Sequence, residues 1–514
     1  MTSQWITKHQ ELLPSAFISF FTFTSDPNLS SLQDNQLKAS INQIRSSFSF
    51  SSYKTRFVAV FCSEKSVLEA DVDERLTNIR RATGLDSRNS LFFFSLNLSL
   101  VETQAFVESV LAALQPACVE YYRELSKHAR RKRNRGSVPP PTASPTSGTS
   151  QTLPSQGWNV RYEFKLGVLA EFRQEMDAAG RNYEGAYEGL MGQDVSETIA
   201  SWSPRFNEAR LLADIIAIRI LRCLLWNSQT TSAVHSWENH KARMQDFIDR
   251  KGKGSAHYGW EAWEARWYQV MAEVIGMADV PVFSVPEPNK IVATGTPSAI
   301  EIYAAPEKAI PIGERIPPWE LLHHEGYWLN QSIKHTFVRR RLAQEVPEED
   351  RTSPGQSPAS QVASKSYMYD TYLCPEPHIE SALPGHKDFD HSAMILKSCE
   401  LSLDQFRRRN QGRAVEQLKL QIARQNMRQA SWHNAFRTLK ALWQDLSWRR
   451  AGWWSLVDEV AWALRECACH VGDGGSIVSV DWELLNDSKW TSLCAYVSGV
   501  LLLPLHPYAD RTLN

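Results

Sequence analysis

The sequence predicts two fold classes in series: an N-terminal three-layer α/β unit, followed by an irregular α-solenoid built from helical repeats. Strand and helix patterns alternate within residues 14–125, whereas nearly every pattern after residue 158 is helical. A tract rich in Pro, Ser and Thr separates the two regions. We therefore predict an α/β domain over residues 1–132, a flexible linker over 133–157 and a solenoid domain over 158–490.

The α/β prediction depends on three short runs rich in aromatic and β-branched residues, at 16–24, 56–62 and 90–98. Helical patterns lie between them at 35–48 and 67–82, and a long helix from Leu100 to about Arg131 follows the third run. This order predicts a parallel sheet with right-handed crossover connections.

Sheets of this kind often bind nucleotides, so an enzyme that uses the α/β unit is one alternative. Such sites need glycines, because backbone N–H groups must approach a phosphate at a helix N-terminus. Gly84 is the only glycine in the first 135 residues, and it follows a helix rather than the first strand. The segment 251–255, KGKGS, has Phe247 where a phosphate-binding loop needs its first glycine, and it reads better as a turn between helices.

The end of the long helix carries a basic cluster. Its members are Arg130, Arg131, Lys132, Arg133 and Arg135. Three interpretations stay open: a solvated helix end, a contact for an acidic partner or lipid, and a nuclear import signal.

The helical region contains apolar stripes with tryptophan at core spacing. In 259–275 the indoles of Trp260, Trp263 and Trp267 fall at i, i+3 and i+7, so they share one face. The apolar segment 210–226 is the nominated packing partner of that helix. We predict that the structural core includes Trp226, Trp260, Trp263, Trp267, Trp453 and Trp462. Further helices are predicted at 391–424, 431–446 and 452–469, with a disordered insertion at about 345–366.

No catalytic or metal-binding pattern survives comparison with simpler explanations. The polar group formed by His386, Asp388, Asp390 and His391 lies at the entry to a helix, where such residues usually cap. Cys467 and Cys469 have no second cysteine pair at ligand spacing. We predict a non-enzymatic protein without catalytic residues, metal or cofactor.

Composition limits the classes of partner and the location. A net charge of −1 disfavours binding to nucleic acid, and the eight cysteines show no disulfide framework. No apolar run reaches the length of a membrane span, and no signal peptide is evident. We therefore expect a cytoplasmic chain without a transmembrane segment.

Four blocks of this sequence carry a resemblance to a known family. They are WNVRYEFKLGVLAEFRQEMDAAGRNYEGAYEGL, LLADIIAIRILRCLLW, AVHSWENHKARMQDFIDRKGKGSAHYGWEAWEARWYQVMAEVI and LSWRRAGWWSLVDEVAWALRECA. They resemble the foie gras domain, which belongs to subunit 11 of the transport protein particle (TRAPP), and the α/β unit resembles the N-terminal part of that subunit. The resemblance covers most of the chain.

The resemblance implies a scaffold subunit of a vesicle-tethering complex that promotes nucleotide exchange on Rab GTPases through other subunits. It implies contacts with other TRAPP subunits, peripheral association with cis-Golgi and ER–Golgi intermediate membranes, and roles in ER-to-Golgi transport and autophagy. A solenoid adaptor that carries cargo outside any tethering complex is a further alternative. The family's subunit continues into β-rich domains, so we interpret residues 491–514 as an atypical tail at which the sequence is truncated or shortened.

Overall fold

A computed structural model describes residues 14–23, 30–49, 55–64, 70–86, 88–136, 155–201, 203–252, 254–278, 280, 320–347, 372–373 and 389–486. The chain forms two compact units, Met1–Phe247 and Ile248–Asn514. We call them the N-terminal unit and the C-terminal unit and describe each by itself.

The N-terminal unit begins with a three-stranded parallel sheet. Its strands are β1 (Ala16–Thr22), β2 (Arg56–Ser63) and β3 (Leu91–Ser95), in the order β1-β2-β3. Ile18 pairs in register with Val58, and Ala59 pairs with Leu91. The predicted parallel α/β arrangement is confirmed.

Helices cover both faces of this sheet. Helices α1 (Ser30–Ser49) and α2 (Ala70–Thr83) pack on one face, and α3 (Leu100–Asn134) packs on the other. A buried ion pair joins α1 to α2, since Arg75 Nη2 lies 2.7 Å from Asp34 Oδ1. The Arg75 guanidinium also lies over the Phe23 ring. Side chains of β2 alternate between the two layers, as a strand with two buried faces requires.

Helix α3 is longer than the sequence predicts. Its N-terminus has a capping box in which Ser99 and Glu102 satisfy each other's backbone N–H groups. The helix continues to Asn134, two residues into the predicted linker, and α4 begins at Ser155, before the predicted end of that linker. Residues 137–154, the rest of the predicted linker, lie outside the described residues.

The remaining helices of the N-terminal unit pack mostly on their neighbours in the sequence. They are α4 (Ser155–Phe172), α5 (Met176–Met191), α6 (Gln193–Ser196), α7 (Pro204–Trp226) and α8 (Thr230–Arg250), the last of which reaches across the division at Phe247. Helix α3 packs on α4, α4 on α5, and α5 on α7. Gly167 permits the close approach of α4 and α5, because a Cβ there would lie 2.5 Å from Tyr183 Cε1.

The described part of the C-terminal unit is helical. Its helices are α9 (Tyr258–Met277), α10 (Glu325–Glu345), α11 (His391–Arg408), α12 (Gly412–Arg428), α13 (Trp432–Gln444), α14 (Ser447–Ala451), α15 (Trp454–Val471) and α16 (Gly474–Asn486). Extensive contacts join α9 to α10, α10 to α11, α11 to α12, α12 to α13, α13 to α15, and α15 to α16. Packing between neighbours in sequence agrees with a helical array, and the solenoid itself stays a prediction.

Two helix predictions need correction. The segment 391–424, predicted as one helix, is divided into α11 and α12 by Asn410, whose φ is 54°. A left-handed residue ends a helix, and asparagine adopts this conformation more readily than most residues do. The main partner of α9 is α10, whereas the nominated segment 210–226 lies in α7, which packs on α5.

The tryptophans predicted as core differ in burial. Trp260, Trp263 and Trp267 are buried, and Trp462 is partly buried against the hydrophobic cluster of α13 and α15. The prediction is wrong for Trp226, which is 63% exposed, and for Trp453, which is 40% exposed. Both lie at helix ends, Trp226 as the last residue of α7 and Trp453 as the N-cap of α15, where packing partners are fewer.

Other predictions fall outside the described residues. Helix α10 extends to Glu345, and residues 348–366 of the predicted insertion lie outside the described part, as does the tail 491–514. Among the described residues, no helix is long and apolar enough to cross a membrane.

Candidate functional site

The basic end of α3 is anchored to α4 through Arg173. Its Nη1 donates to Ser126 Oγ at 2.6 Å and to Leu169 O at 3.0 Å, while its Nη2 lies 2.7 Å from Glu175 Oε2. The guanidinium is buried, so these partners offset the cost of removing its charge from water. The arrangement fixes the direction in which the last turns of α3 present their side chains.

The basic cluster divides into one structural residue and four surface residues. Arg133 is half-buried and forms an ion pair with Glu163 of α4, whereas Arg130, Arg131, Lys132 and Arg135 are exposed. Positive side chains at a helix C-terminus interact favourably with the negative end of the helix dipole. This interaction alone can explain the presence of some of the four. The four exposed cations form a basic surface that an acidic partner or an anionic lipid can reach.

The N-terminal unit also exposes an apolar face that the sequence analysis missed. Ile18 and Phe20 of β1 are 38% and 69% exposed. Ile18 pairs with Val58, which packs under α3, so the register places Ile18 and Phe20 on the α3 side of the sheet. In the part of the chain that the structure describes, β1 is an edge strand.

Helix α3 contributes three more residues to this face. Leu100, Val107 and Leu111 are 86%, 48% and 59% exposed, and their spacing of i, i+7 and i+11 places them in one stripe. Phe106, on the other flank of α3, contacts Phe94 of β3, so the stripe lies on the flank toward β1. We call Ile18, Phe20, Leu100, Val107 and Leu111 the apolar face. Large apolar side chains exposed on the same side of a sheet are typical of an interaction site.

Three buried polar side chains in the helical part form a hydrogen-bonded chain, and this chain bears on the enzyme alternative. Tyr187 Oη lies 2.8 Å from His240 Nδ1, and His240 Nε2 lies 2.9 Å from Asp214 Oδ1. All three residues are buried. Burial raises the pKa of Tyr187 above its ordinary value, so the phenol stays protonated and is a poor nucleophile. The chain therefore fits a structural role that joins α5, α7 and α8.

The helices α9 and α10 begin with the same cap, a histidine followed two residues later by glycine. Nδ1 of His257 accepts from Gly259 N at 3.0 Å, and Nδ1 of His324 accepts from Gly326 N at 3.1 Å. An imidazole can accept at Nδ1 only while that nitrogen is unprotonated. Burial, reinforced by the charge of Arg409, lowers the pKa of His324 from 6.5 to about 4.

This cap predicts a loss of stability in mild acid. Because the folded pKa of His324 is depressed, unfolded chains bind the proton first, and the stabilisation present above pH 6.5 is lost as the pH falls toward 4. The pKa difference sets an upper limit of about 3 kcal/mol, and partial exposure reduces the expected loss to about 1–2 kcal/mol.

The matched variant is His324→Asn, which keeps a capping oxygen but does not titrate. Urea unfolding at several pH values between 6.5 and 4 should show a smaller loss of stability for this variant than for the unmodified chain. Equal losses in the two proteins would contradict the assignment to His324.

The structure gives other roles to two of the sequence-derived metal candidates, Asp390 and Cys467. Asp390 caps α11 by accepting from Ala393 N at 2.8 Å, and His386 and Asp388 lie outside the described residues. Cys467 is buried in the cluster of α13 and α15, where burial raises the pKa of its thiol to about 12. A different group, formed by Glu261, Glu264 and His335 between α9 and α10, brings three potential ligand atoms within 4.8 Å of one another.

Comparison with known families decides the classification. The family described as "Foie gras liver health family 1" matches residues 205–487, more than half of the chain. The chain belongs to the foie gras family. Residues 1–103 match the "Trafficking protein particle complex subunit 11 N-terminal domain". No individual curated protein matches the chain.

The two matches bear on different parts of this foie gras protein. The foie gras match includes most of α7 and all the helices from α8 to α16. The subunit 11 match contains the whole sheet and ends within the first turn of α3, so Ile18, Phe20 and Leu100 lie inside it. These matches confirm the family that the four sequence blocks predict.

Proposed function

We propose that this protein is a non-enzymatic scaffold subunit of a TRAPP vesicle-tethering complex, and that its apolar face binds another subunit. The observation that carries the proposal is that exposed face, which lies in the α/β unit that matches the subunit 11 N-terminal domain. Apolar side chains that are exposed together commonly mark a surface that a partner covers. A subunit gains binding energy when a partner covers them.

The energetics of the face agree with an interface of moderate strength. Each large aliphatic or aromatic side chain contributes about 1.5–3 kcal/mol when it moves from full exposure to full burial. Leu100, Phe20 and Leu111 are more than half exposed, so most of that contribution is still to be gained. Among the described residues β1 is an edge strand, and such a strand carries backbone hydrogen-bonding groups that a strand or loop of the partner can use.

The wider proposal follows the family. The complex promotes nucleotide exchange on a Rab GTPase through other subunits and acts in ER-to-Golgi transport and autophagy. The protein is cytoplasmic and associates peripherally with cis-Golgi and ER–Golgi intermediate membranes. The exposed cations Arg130, Arg131, Lys132 and Arg135 support this role by contacting an acidic subunit surface or anionic lipid headgroups.

The decisive experiment replaces one residue of the apolar face. Leu111→Glu places a charge on the α3 stripe, on a residue already 59% exposed, so the fold should tolerate it. We expect affinity purification of the tagged full chain from cells to recover TRAPP subunits, and this variant to recover at least about tenfold less.

Leu401→Glu is the matched control, because Leu401 is a leucine on helix α11 that is 51% exposed in the other unit. It should recover the same subunits as the unmodified chain. Failure of the unmodified chain to recover any TRAPP subunit would contradict the scaffold proposal. Equal recovery with Leu111→Glu would contradict the location of the interface.

Two further measurements separate the alternatives. Calorimetry with purine nucleotides should detect no binding at micromolar affinity, and binding would favour the nucleotide-binding enzyme. Size-exclusion chromatography of native extract should place the chain in a large assembly, whereas elution as a monomer would favour a free-standing cargo adaptor.

A further inference from the structure

Two carboxylates and one imidazole converge between α9 and α10. His335 Nδ1 lies 2.7 Å from Glu261 Oε2 and 3.6 Å from Glu264 Oε2. The two glutamates are separated by three positions on α9, so both side chains lie on one face of that helix. The Glu264 side chain is 4% exposed, the Glu261 side chain 17% and the His335 side chain 24%.

Packing holds these three side chains on a rigid frame. Ser332 Oγ, one turn before His335 on α10, donates to Ala265 O of α9 at 2.8 Å, which fixes the two helices against each other beside the cluster. The ring of Tyr268 stacks on the His335 imidazole, with ring centroids 5.0 Å apart and an angle of 27° between the planes. Because the stacked ring limits rotation, Nδ1 stays directed at the carboxylates.

One hydrogen bond joins two of the three side chains. Nδ1 of His335 lies 2.7 Å from the Glu261 oxygen, within hydrogen-bond distance, and 3.6 Å from the Glu264 oxygen, beyond that distance. A divalent cation placed among the three groups would contact one ligand atom of each side chain.

We propose that Glu261, Glu264 and His335 bind a divalent transition-metal ion, and that Zn²⁺ suits this donor set. Zinc binds imidazole nitrogen and carboxylate oxygen at about 2.0–2.2 Å, so tetrahedral ligand atoms lie roughly 3.3–3.5 Å apart. The separations of 2.7 and 3.6 Å lie on either side of that spacing, and all three ligand atoms lie within 4.8 Å of one another. Small side-chain adjustments therefore create the site.

Bound metal would act as a link between α9 and α10. Two ligands come from one helix and the third from the other, 74 positions later than Glu261, so the ion favours the folded arrangement over the unfolded chain. Three protein ligands leave a fourth position for water or for a side chain of a partner. The proposal concerns the C-terminal unit and does not depend on the proposed scaffold function.

The experiment uses the full chain, stripped with a chelator and dialysed against Zn²⁺. We expect about one Zn²⁺ per chain by mass spectrometry of the metal content. Saturating Zn²⁺ should raise the melting temperature by about 5 °C or more, reversibly on addition of chelator. Co²⁺ in place of Zn²⁺ should give visible absorption bands, which report the ligand environment independently of stability.

Glu261→Gln and His335→Phe each remove one ligand, and the phenyl ring preserves the stacking with Tyr268. Each should weaken Zn²⁺ binding at least about tenfold. Glu273→Gln is the control, since Glu273 lies on the same helix but pairs with Arg266 at 3.4 Å on the surface, and its Zn²⁺ affinity should be unchanged. Absence of bound Zn²⁺ in the unmodified chain, or equal affinity in all three variants, would overturn the proposal.

Discussion

Replacing Trp263 with alanine is expected to lower the free energy of unfolding of the C-terminal unit by about 3–5 kcal/mol. The side chain is 3% exposed and lies between two other indoles. Its ring stacks on that of Trp260 at 4.6 Å and lies 6.0 Å from that of Trp267. The variant loses the apolar burial of the indole and its contacts with both neighbours, and the surrounding helices can fill the cavity only in part.

The measurement is guanidinium unfolding of the full chain, followed by tryptophan fluorescence and by circular dichroism. Trp482→Ala is the matched control, because Trp482 lies on α16 in the same unit and is 69% exposed. The control should change the free energy of unfolding by about 0.5 kcal/mol or less. Similar losses for the two variants would contradict the assignment of Trp263 to the core.

The parallel sheet was predictable because its signals are local. Each strand is a short run of apolar residues bounded by polar segments, and the observed strands β1, β2 and β3 fall inside or within one residue of the predicted runs. The alternation of strands with helices then restricts the connection to a parallel pattern. Neither step requires knowledge of contacts between distant residues.

The apolar face was not predictable by the same reasoning. Leu111 and Leu114 are both leucines on α3, yet Leu111 is 59% exposed and Leu114 is 4% exposed. Periodicity shows that the two lie on neighbouring parts of the helix surface, but the position of α3 across β2 and β3 decides which one is covered. The sequence alone does not show where α3 lies on the sheet. The same reason explains Trp226 and Trp453, whose spacing is that of a core but whose places at helix ends leave them exposed.

The glutamate and histidine cluster was missed because its members depend on a helix pairing. The apolar character of 259–275 and 210–226 predicts that these two segments pack on each other. In the structure α10 packs on α9, and its polar residues Ser332 and His335 face α9 at the crossing. The two glutamates at i and i+3 were the available signal, and they lacked a third ligand nearby in the sequence.

Replacing Glu171 with methionine is expected to lower the free energy of unfolding of the N-terminal unit by about 3–5 kcal/mol. Glu171 is the second-last residue of α4, and its side chain is 7% exposed. It pairs with Arg219 of α7, accepts a hydrogen bond from Tyr183 of α5, and lies 3.4 Å from Arg222. One carboxylate therefore joins three helices.

The expected loss comes from the groups that remain. Without Glu171, the guanidinium of Arg219, whose side chain is 18% exposed, keeps its charge in a largely buried position. The Tyr183 hydroxyl loses its acceptor, and burial already raises the pKa of this phenol, so ionisation offers no relief. Glu188→Met is the control, because the pair of Glu188 with Arg243 is exposed and should contribute about 1 kcal/mol or less.

A double variant distinguishes an unpaired buried charge from a simple loss of packing. In Glu171→Met with Arg219→Met, both charges are replaced by flexible apolar side chains that can fill the space. We expect the double variant to be more stable than Glu171→Met alone by at least about 1 kcal/mol, measured by urea unfolding of the full chain. If the two substitutions instead add, the carboxylate stabilises the unit through packing, and the ion pair that joins α4 to α7 contributes little. Recovery of stability would show that the main role of Glu171 is to neutralise Arg219 between the helices.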